Sequence, residues 1–201
     1  MPISHKHKAI FVHIPKTAGT SIEEAMGIKV LKGKVLRSHK TSVIKGITYA
    51  PQHFTSTILK NHALTKVHWN KYFKFSFVRH PYTRVLSEFF WVKKKKCKIF
   101  NPKMFNEFLE SYYIKFNTDH KLPQSDFLYE NGKLQIDRLY KFENLGRSYR
   151  HLSKKLKLPK KIPHVQRSNN KKEYFNLLTR ENKELIYKIY EKDFKVLNYE
   201  R

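Results

Sequence analysis

The sequence predicts an α/β protein in three layers, with a central, mostly parallel sheet flanked by helices. Short apolar runs alternate along the chain with segments of helical spacing, the pattern of strands joined by crossover helices. The run Ala9-Ile10-Phe11-Val12 passes through a small-residue turn into a helical segment, and Phe73–Val78 does the same through Arg79-His80-Pro81. With 201 residues, no internal repeat and no low-complexity linker, the chain reads as one domain over residues 1–201, large enough to bury a real core.

Taken in order, residues 9–13 are a strand and residues 20–26 a helix, while the segment before them, with His5 and His7, reads as a mobile start. Residues 29–50 are rich in lysine, with short β-prone pieces at 34–36 and 46–49, and residues 55–61 have helical spacing. The second core strand is Phe73–Val78; Pro81 ends it, and residues 83–93 follow as a helix with Val85, Leu86, Phe89 and Phe90 on one face. Met104, Phe105, Phe108 and Leu109 make a helical stripe over 102–113. A short strand at 139–142 and helices at 144–156 and 180–193 complete the pattern, the last with Leu185, Ile186, Ile189 and Tyr190 inward.

The loop His13-Ile14-Pro15-Lys16-Thr17-Ala18-Gly19-Thr20-Ser21 has the makings of a phosphate cradle. A strand, a small-residue turn and a helix present backbone N–H groups to an anion, and Gly19 permits a turn that a side chain blocks. Lys16 adds charge; Thr17, Thr20 and Ser21 add hydroxyl donors. The spacing departs from the ATPase loop, in which Lys directly follows the second Gly; here Thr20 follows Gly19. Nor does the second strand end in the Asp that would partner Mg²⁺; it ends in Arg79, which recognises another anion. Ser87, further along the helix after Arg79, offers a hydroxyl for the same clamp. Ligands of parallel sheets bind beyond the carboxyl ends of the strands. Lys16 and Arg79 both follow strand ends, so a metal-free, twice-anchored phosphate site on one sheet edge is expected.

Lys and Arg number 42 against 16 Asp and Glu, a formal charge of +26. That balance attracts a nucleotide and an acidic acceptor such as an anionic polysaccharide; nucleic acid is the rival partner, and compositional drift toward Lys, Asn, Ile, Phe and Tyr accounts for part of the excess. A single cysteine, Cys97, gives no disulfide framework within the chain, and the 11 histidines show no metal-ligand spacing. The apolar run at the start is too short for a signal sequence or a membrane span, so a soluble cytoplasmic protein is expected.

Together the stretches 13–21 and 78–87 resemble the PAPS-dependent sulfotransferases, most closely the carbohydrate group that includes heparan sulfate 2-O-sulfotransferase and related bacterial enzymes. PAPS is adenosine with a 3′-phosphate and a 5′-phosphosulfate. The resemblance implies a P-loop NTPase-like fold. It implies a 5′-phosphosulfate held by Lys16, Thr17, Ala18, Gly19, Thr20 and Ser21, and a 3′-phosphate held by Arg79 and Ser87. It extends more weakly to 122–125, to 136–145 and to 189–194, and it sets Arg167 and Ser168 in a loop that closes over the cofactor. The implied activity is transfer of the sulfuryl group of PAPS to a hydroxyl, on a sugar, leaving PAP, with no metal, no nucleic-acid partner and no membrane span.

Such a transfer needs a stabilised leaving phosphate and a base. Lys16 suits the first task. A base near neutrality favours histidine, and His53 in Ala50-Pro51-Gln52-His53-Phe54-Thr55 is the candidate, although Gln52 replaces the small residue or histidine of the resembled segment. His13 reads as structural; His62, His68, His80, Glu23 and Glu24 are weaker rivals. Acceptor selectivity is assigned to 29–50 and 93–103. Two other classes stay open: a P-loop kinase or NTPase acting on a small molecule, and a basic nucleic-acid-binding module.

Overall fold

The computed structural model describes residues 2–28, 41–93, 100–113, 117–163, 175–176 and 178–201. The β-prone piece at 34–36, Cys97, most of the lysine run from Lys93, and Arg167 and Ser168 lie outside the described residues.

Four strands form the central sheet: β1 (Ile3–Ser4), β2 (Ala9–Val12), β5 (Phe73–Val78) and β8 (Arg138–Lys141), in the spatial order β1-β2-β5-β8. The strands β2, β5 and β8 run parallel, and β1 closes one edge antiparallel. Register is fixed by burial on both faces. Phe11, Phe75, Phe77 and Tyr140 project into one core with Ile22 and Met26, covered by Tyr149 and Leu152 of helix α7 (Leu145–Leu156). Ile10, Val12 and Val78 project into the other with Ile58, Leu59, Trp69, Phe127 and Leu128. A third cluster joins α4 (Pro81–Val92), α5 (Pro102–Tyr112) and α8 (Arg180–Val196) through Phe89, Phe105, Phe108, Ile186 and Tyr190. The architecture is therefore mixed α/β, a mostly parallel sheet between helices, as the alternating pattern predicts.

Helix boundaries follow their caps. Helix α1 is Gly19–Ala25, and Asn101 caps α5 by accepting from Met104 N at 3.0 Å. Thr55 caps the 55–61 segment, which is α-helical over Ser56–Ile58 (α2) and widens to a π turn over Leu59–Ala63.

The start of the chain is anchored and not mobile as predicted. Ile3 pairs with Ile10, His5 Nδ1 meets the Tyr72 hydroxyl at 2.9 Å, and His7 Nδ1 meets the Leu156 carbonyl at 2.8 Å. Hydrogen bonds to distant partners hold a segment too polar to show a strand pattern. The hairpin of β3 (Ser42–Ile44) and β4 (Ile47–Tyr49) turns at the left-handed pair Lys45-Gly46. The elements α3 (Lys66–Lys71), α6 (Gln124–Leu128), β6 (Tyr129–Glu130) and β7 (Lys133–Leu134) are further additions to the predicted set. Among the described residues, no helix is long and apolar enough to cross a membrane.

Candidate functional site

The loop after β2 is folded by its own backbone. Lys16 and Ala18 both adopt left-handed conformations, at φ 70° and 69°, and Thr17 Oγ1 donates to the Ile14 carbonyl at 2.8 Å. Residues of alternating handedness turn successive N–H groups toward one concavity, the geometry of anion-binding nests. Gly19 is required by contact: a Cβ there would lie 1.9 Å from His13 Nε2. His13 is in turn stacked on Phe11 at 5.3 Å and hydrogen-bonded through Nδ1 to Glu23 Oε1 at 2.9 Å. Burial pushes the Glu23 carboxyl up, but the charge and hydrogen bond of His13, with the charges of His53 and the N-terminus, together hold it below its ordinary range.

Arg79 stands at the tip of β5 and is only 7% exposed. Its Nη1 donates to the Lys16 carbonyl at 3.3 Å, its Nε to Thr83 Oγ1 at 3.0 Å, and its guanidinium lies 4.3 Å from the Phe142 ring centre. Burial lowers its pKa to about 10, which leaves it cationic at neutral pH. Gln124 fixes its backbone from both sides, accepting from Arg79 N and donating to Arg79 O at 2.8 Å each. Ser87 lies one helical turn beyond Thr83 on α4, half-buried. The loop and the strand-tip arginine, 63 residues apart in sequence, thus meet on one sheet edge.

Sequence reasoning passed over the supports behind this pair. Arg84, buried in α4, donates from Nε to the Pro15 carbonyl at 3.4 Å and from Nη2 to the carbonyls of His120 and Leu122 at 2.9 Å each. Tyr190 donates to the Lys121 carbonyl at 2.8 Å, and the Asp193 carboxylate accepts from Gln124 N and Ser125 N at 2.8 Å each. The stretches 122–125 and 189–194, which carry part of the resemblance, therefore make one truss that ends at Arg79. The signal that could have found Arg84 is an arginine among the buried positions of an apolar helix face.

His53 is 4% exposed. Its Nδ1 is 3.0 Å from Asp119 Oδ2, which also accepts from Ala50 N at 2.7 Å, and its Nε2 is 3.2 Å from the Gln52 side-chain amide nitrogen. An amide nitrogen can only donate, so Nε2 accepts and the proton resides on Nδ1, donated to Asp119. Burial is the largest influence and lowers the His53 pKa to about 4. The Asp119 carboxyl, pushed up by burial, is held down overall by its hydrogen bond and charge interaction with His53.

His53 belongs to a column of rings. His13 meets it edge-on at 4.7 Å, His120 meets it edge-on at 5.1 Å, and Trp91 stacks on His120 at 4.8 Å. The Lys16 ammonium lies 5.1 Å from the centre of the Trp91 ring. His53, Asp119 and His120 each bring one potential metal-ligand atom within 4.8 Å of the others, a set that no sequence spacing announces; its short contact is the His53–Asp119 hydrogen bond. The other acid–base rivals lie elsewhere or are spent. His68 packs with His5 and Tyr72, His62 and Glu24 are exposed, and His80 caps α4 by accepting from Tyr82 N at 3.3 Å.

A family model described as "Sulfotransferase family" matches residues 1–200 of the chain. No curated protein and no solved structure gave a match.

Proposed function

The chain belongs to the sulfotransferase family, transferases of sulfur-containing groups, and from that premise we propose that it moves the sulfuryl group of PAPS to a hydroxyl of a carbohydrate acceptor. The observation that carries this reading is the 3.3 Å contact between Arg79 Nη1 and the Lys16 carbonyl, which brings the loop after β2 and the tip of β5 together at one sheet edge. A donor with anionic groups at both ends of its nucleoside matches that pairing. An arginine at the strand tip, where a Mg²⁺-dependent nucleotide enzyme needs an aspartate, fits a phosphate better than a metal.

In this reading the loop from Lys16 to Ser21 grips the 5′-phosphosulfate, and Lys16 stabilises the bridging oxygen as its bond to sulfur breaks. Arg79 and Ser87 hold the 3′-phosphate, with Arg167 and Ser168 as further contacts. His53 takes the acceptor proton on Nε2, as the hydroxyl oxygen bonds to sulfur and the leaving phosphate keeps the electron pair. The Gln52 amide, which donates to Nε2, marks the position from which an acceptor hydroxyl would donate. The net charge of +26 suits an anionic polysaccharide.

Calorimetric titration with PAP, with ATP plus Mg²⁺ and with duplex DNA tests the donor. PAP is expected to bind tightest, and Arg79→Ala to weaken PAP by about tenfold or more while leaving a nucleotide without the 3′-phosphate little changed. Equal losses for both nucleotides, or preference for ATP with Mg²⁺, would overturn the reading.

A further inference from the structure

Helix α4 carries Arg84, Glu88 and Trp91 on successive turns of one face. Arg84 and Glu88 are buried and committed to the scaffold, Arg84 to the carbonyls of Pro15, His120 and Leu122, and Glu88 to the His120 ring. Trp91, the outermost of the three, is 45% exposed, whereas Trp69 is 7% exposed and belongs to the core. A lone exposed indole is ordinary on a protein surface, so its exposure alone decides nothing. Its neighbours do.

The indole stacks on His120 with ring centres 4.8 Å apart and planes 25° apart, and the Lys16 ammonium lies 5.1 Å from its centre. Glu88 holds the His120 ring and Arg84 the His120 backbone, so the surface beneath Trp91 is itself fixed. Two reacting ends flank this indole. Lys16, assigned above to the bond that breaks, touches it directly; His53, assigned to the acceptor proton, meets His120 at 5.1 Å. The other anchor of the donor has an aromatic neighbour of its own, because the Arg79 guanidinium lies 4.3 Å from the Phe142 ring centre. Trp91 therefore belongs to the end of the site where transfer takes place.

A flat apolar ring edged by a cation suits a molecule with an apolar face and an anionic rim. A pyranose of an acidic oligosaccharide is such a molecule: its C–H groups form the face, and its hydroxyls and carboxylates form the rim. We propose that Trp91 is the platform on which a pyranose ring of an anionic oligosaccharide acceptor stacks. The inference rests on the sulfuryl-transfer reading and gives its acceptor a docking residue. The contact is one of binding and orientation; no bond to Trp91 forms or breaks. Stacking sets the ring beside both Lys16 and the His120–His53 pair, so one contact orients the hydroxyl toward donor and base together.

The test is calorimetric titration of the PAP-saturated protein with two polyanions: short hyaluronan oligosaccharides, which carry pyranose rings, and inorganic polyphosphate, which carries none. The wild type is expected to bind both. Trp91→Ala should lower hyaluronan affinity about tenfold, and Trp91→Phe, which keeps a smaller ring, only about two- to threefold, while polyphosphate and PAP stay within about twofold. Retained PAP binding also shows that both variants fold. Unchanged hyaluronan affinity in Trp91→Ala, or an equal loss for polyphosphate, would overturn the proposal. An equal loss for PAP would overturn it as well, by giving the indole to the adenine of the donor. A wild type that binds PAP but no hyaluronan would overturn the platform and leave the donor reading standing; one that does not bind PAP would overturn the donor reading itself.

Discussion

At the scale of the residue, His53 shows how burial and hydrogen bonding divide the work on one imidazole. Burial pushes its pKa from 6.5 to about 4, although Asp119 pulls the other way. The sign for stability follows. The unfolded chain takes up a proton near the ordinary value and the folded chain only near 4, so unfolding binds protons between the two. The stability linked to neutral His53 is complete above about pH 6.5 and is lost as pH falls toward about 4. Glu23 and Asp119, both held below their ordinary ranges, add losses in the same direction at still lower pH. Chemical denaturation at about pH 7 and about pH 5 should show the wild type losing on the order of 1–3 kcal/mol, and His53→Gln losing clearly less. Identical losses would show that His53 does not titrate in that window.

Elements carry the next level of control. Helix α8 is the far end of the truss that reaches Arg79: Asp193 takes two backbone N–H groups of α6, and Gln124 at the start of α6 clamps Arg79. Removing the carboxylate leaves two buried donors unsatisfied. Asp193→Ala should therefore destabilise the fold by about 2–4 kcal/mol, whereas Tyr190→Phe, which gives up one hydrogen bond to the Lys121 carbonyl, should lose about 1 kcal/mol. Thermal melts measure both. Under conditions where Asp193→Ala stays folded, it should also weaken PAP, because Arg79 loses its backbone brace. Unchanged PAP affinity in that variant would uncouple α8 from the anion site.

These supports explain what the sequence could and could not tell. Strands β2 and β5 announce themselves as short apolar runs buried on both faces of the sheet, and helices α4, α5, α7 and α8 because each buries a periodic apolar face. The loop at 13–21 and Arg79 stand out because each is a local pattern, a strand running through a small-residue turn into a helix and a strand ending in arginine, read within a few consecutive residues. Helix α3 and strand β1 are short and polar, and tertiary pairing stabilises them. The pairs Glu88–His120 and Asp119–His53 join residues 32 and 66 positions apart, a separation that local spacing cannot encode.

For the whole molecule, the excess of charge and the built site should respond differently to salt. A formal charge of +26 produces a long-range field, and at about 0.1 M salt that field decays over about 10 Å. Arg79 is 7% exposed and held by Thr83, the Lys16 carbonyl and Phe142, so the phosphate contact proposed for it would be shielded from the ions that screen the surface. The field should therefore govern arrival and the site departure. Raising salt from about 0.05 to about 0.5 M should slow PAP association several-fold while changing its dissociation rate by less than about twofold. A long sulfated polysaccharide, held by many exposed lysines, should instead lose affinity steeply through counterion release. Stopped-flow measurement of both rates separates the contributions. A PAP dissociation rate that climbs with salt as steeply as the association rate falls would mean that surface lysines, and not the Arg79 pocket, retain the nucleotide.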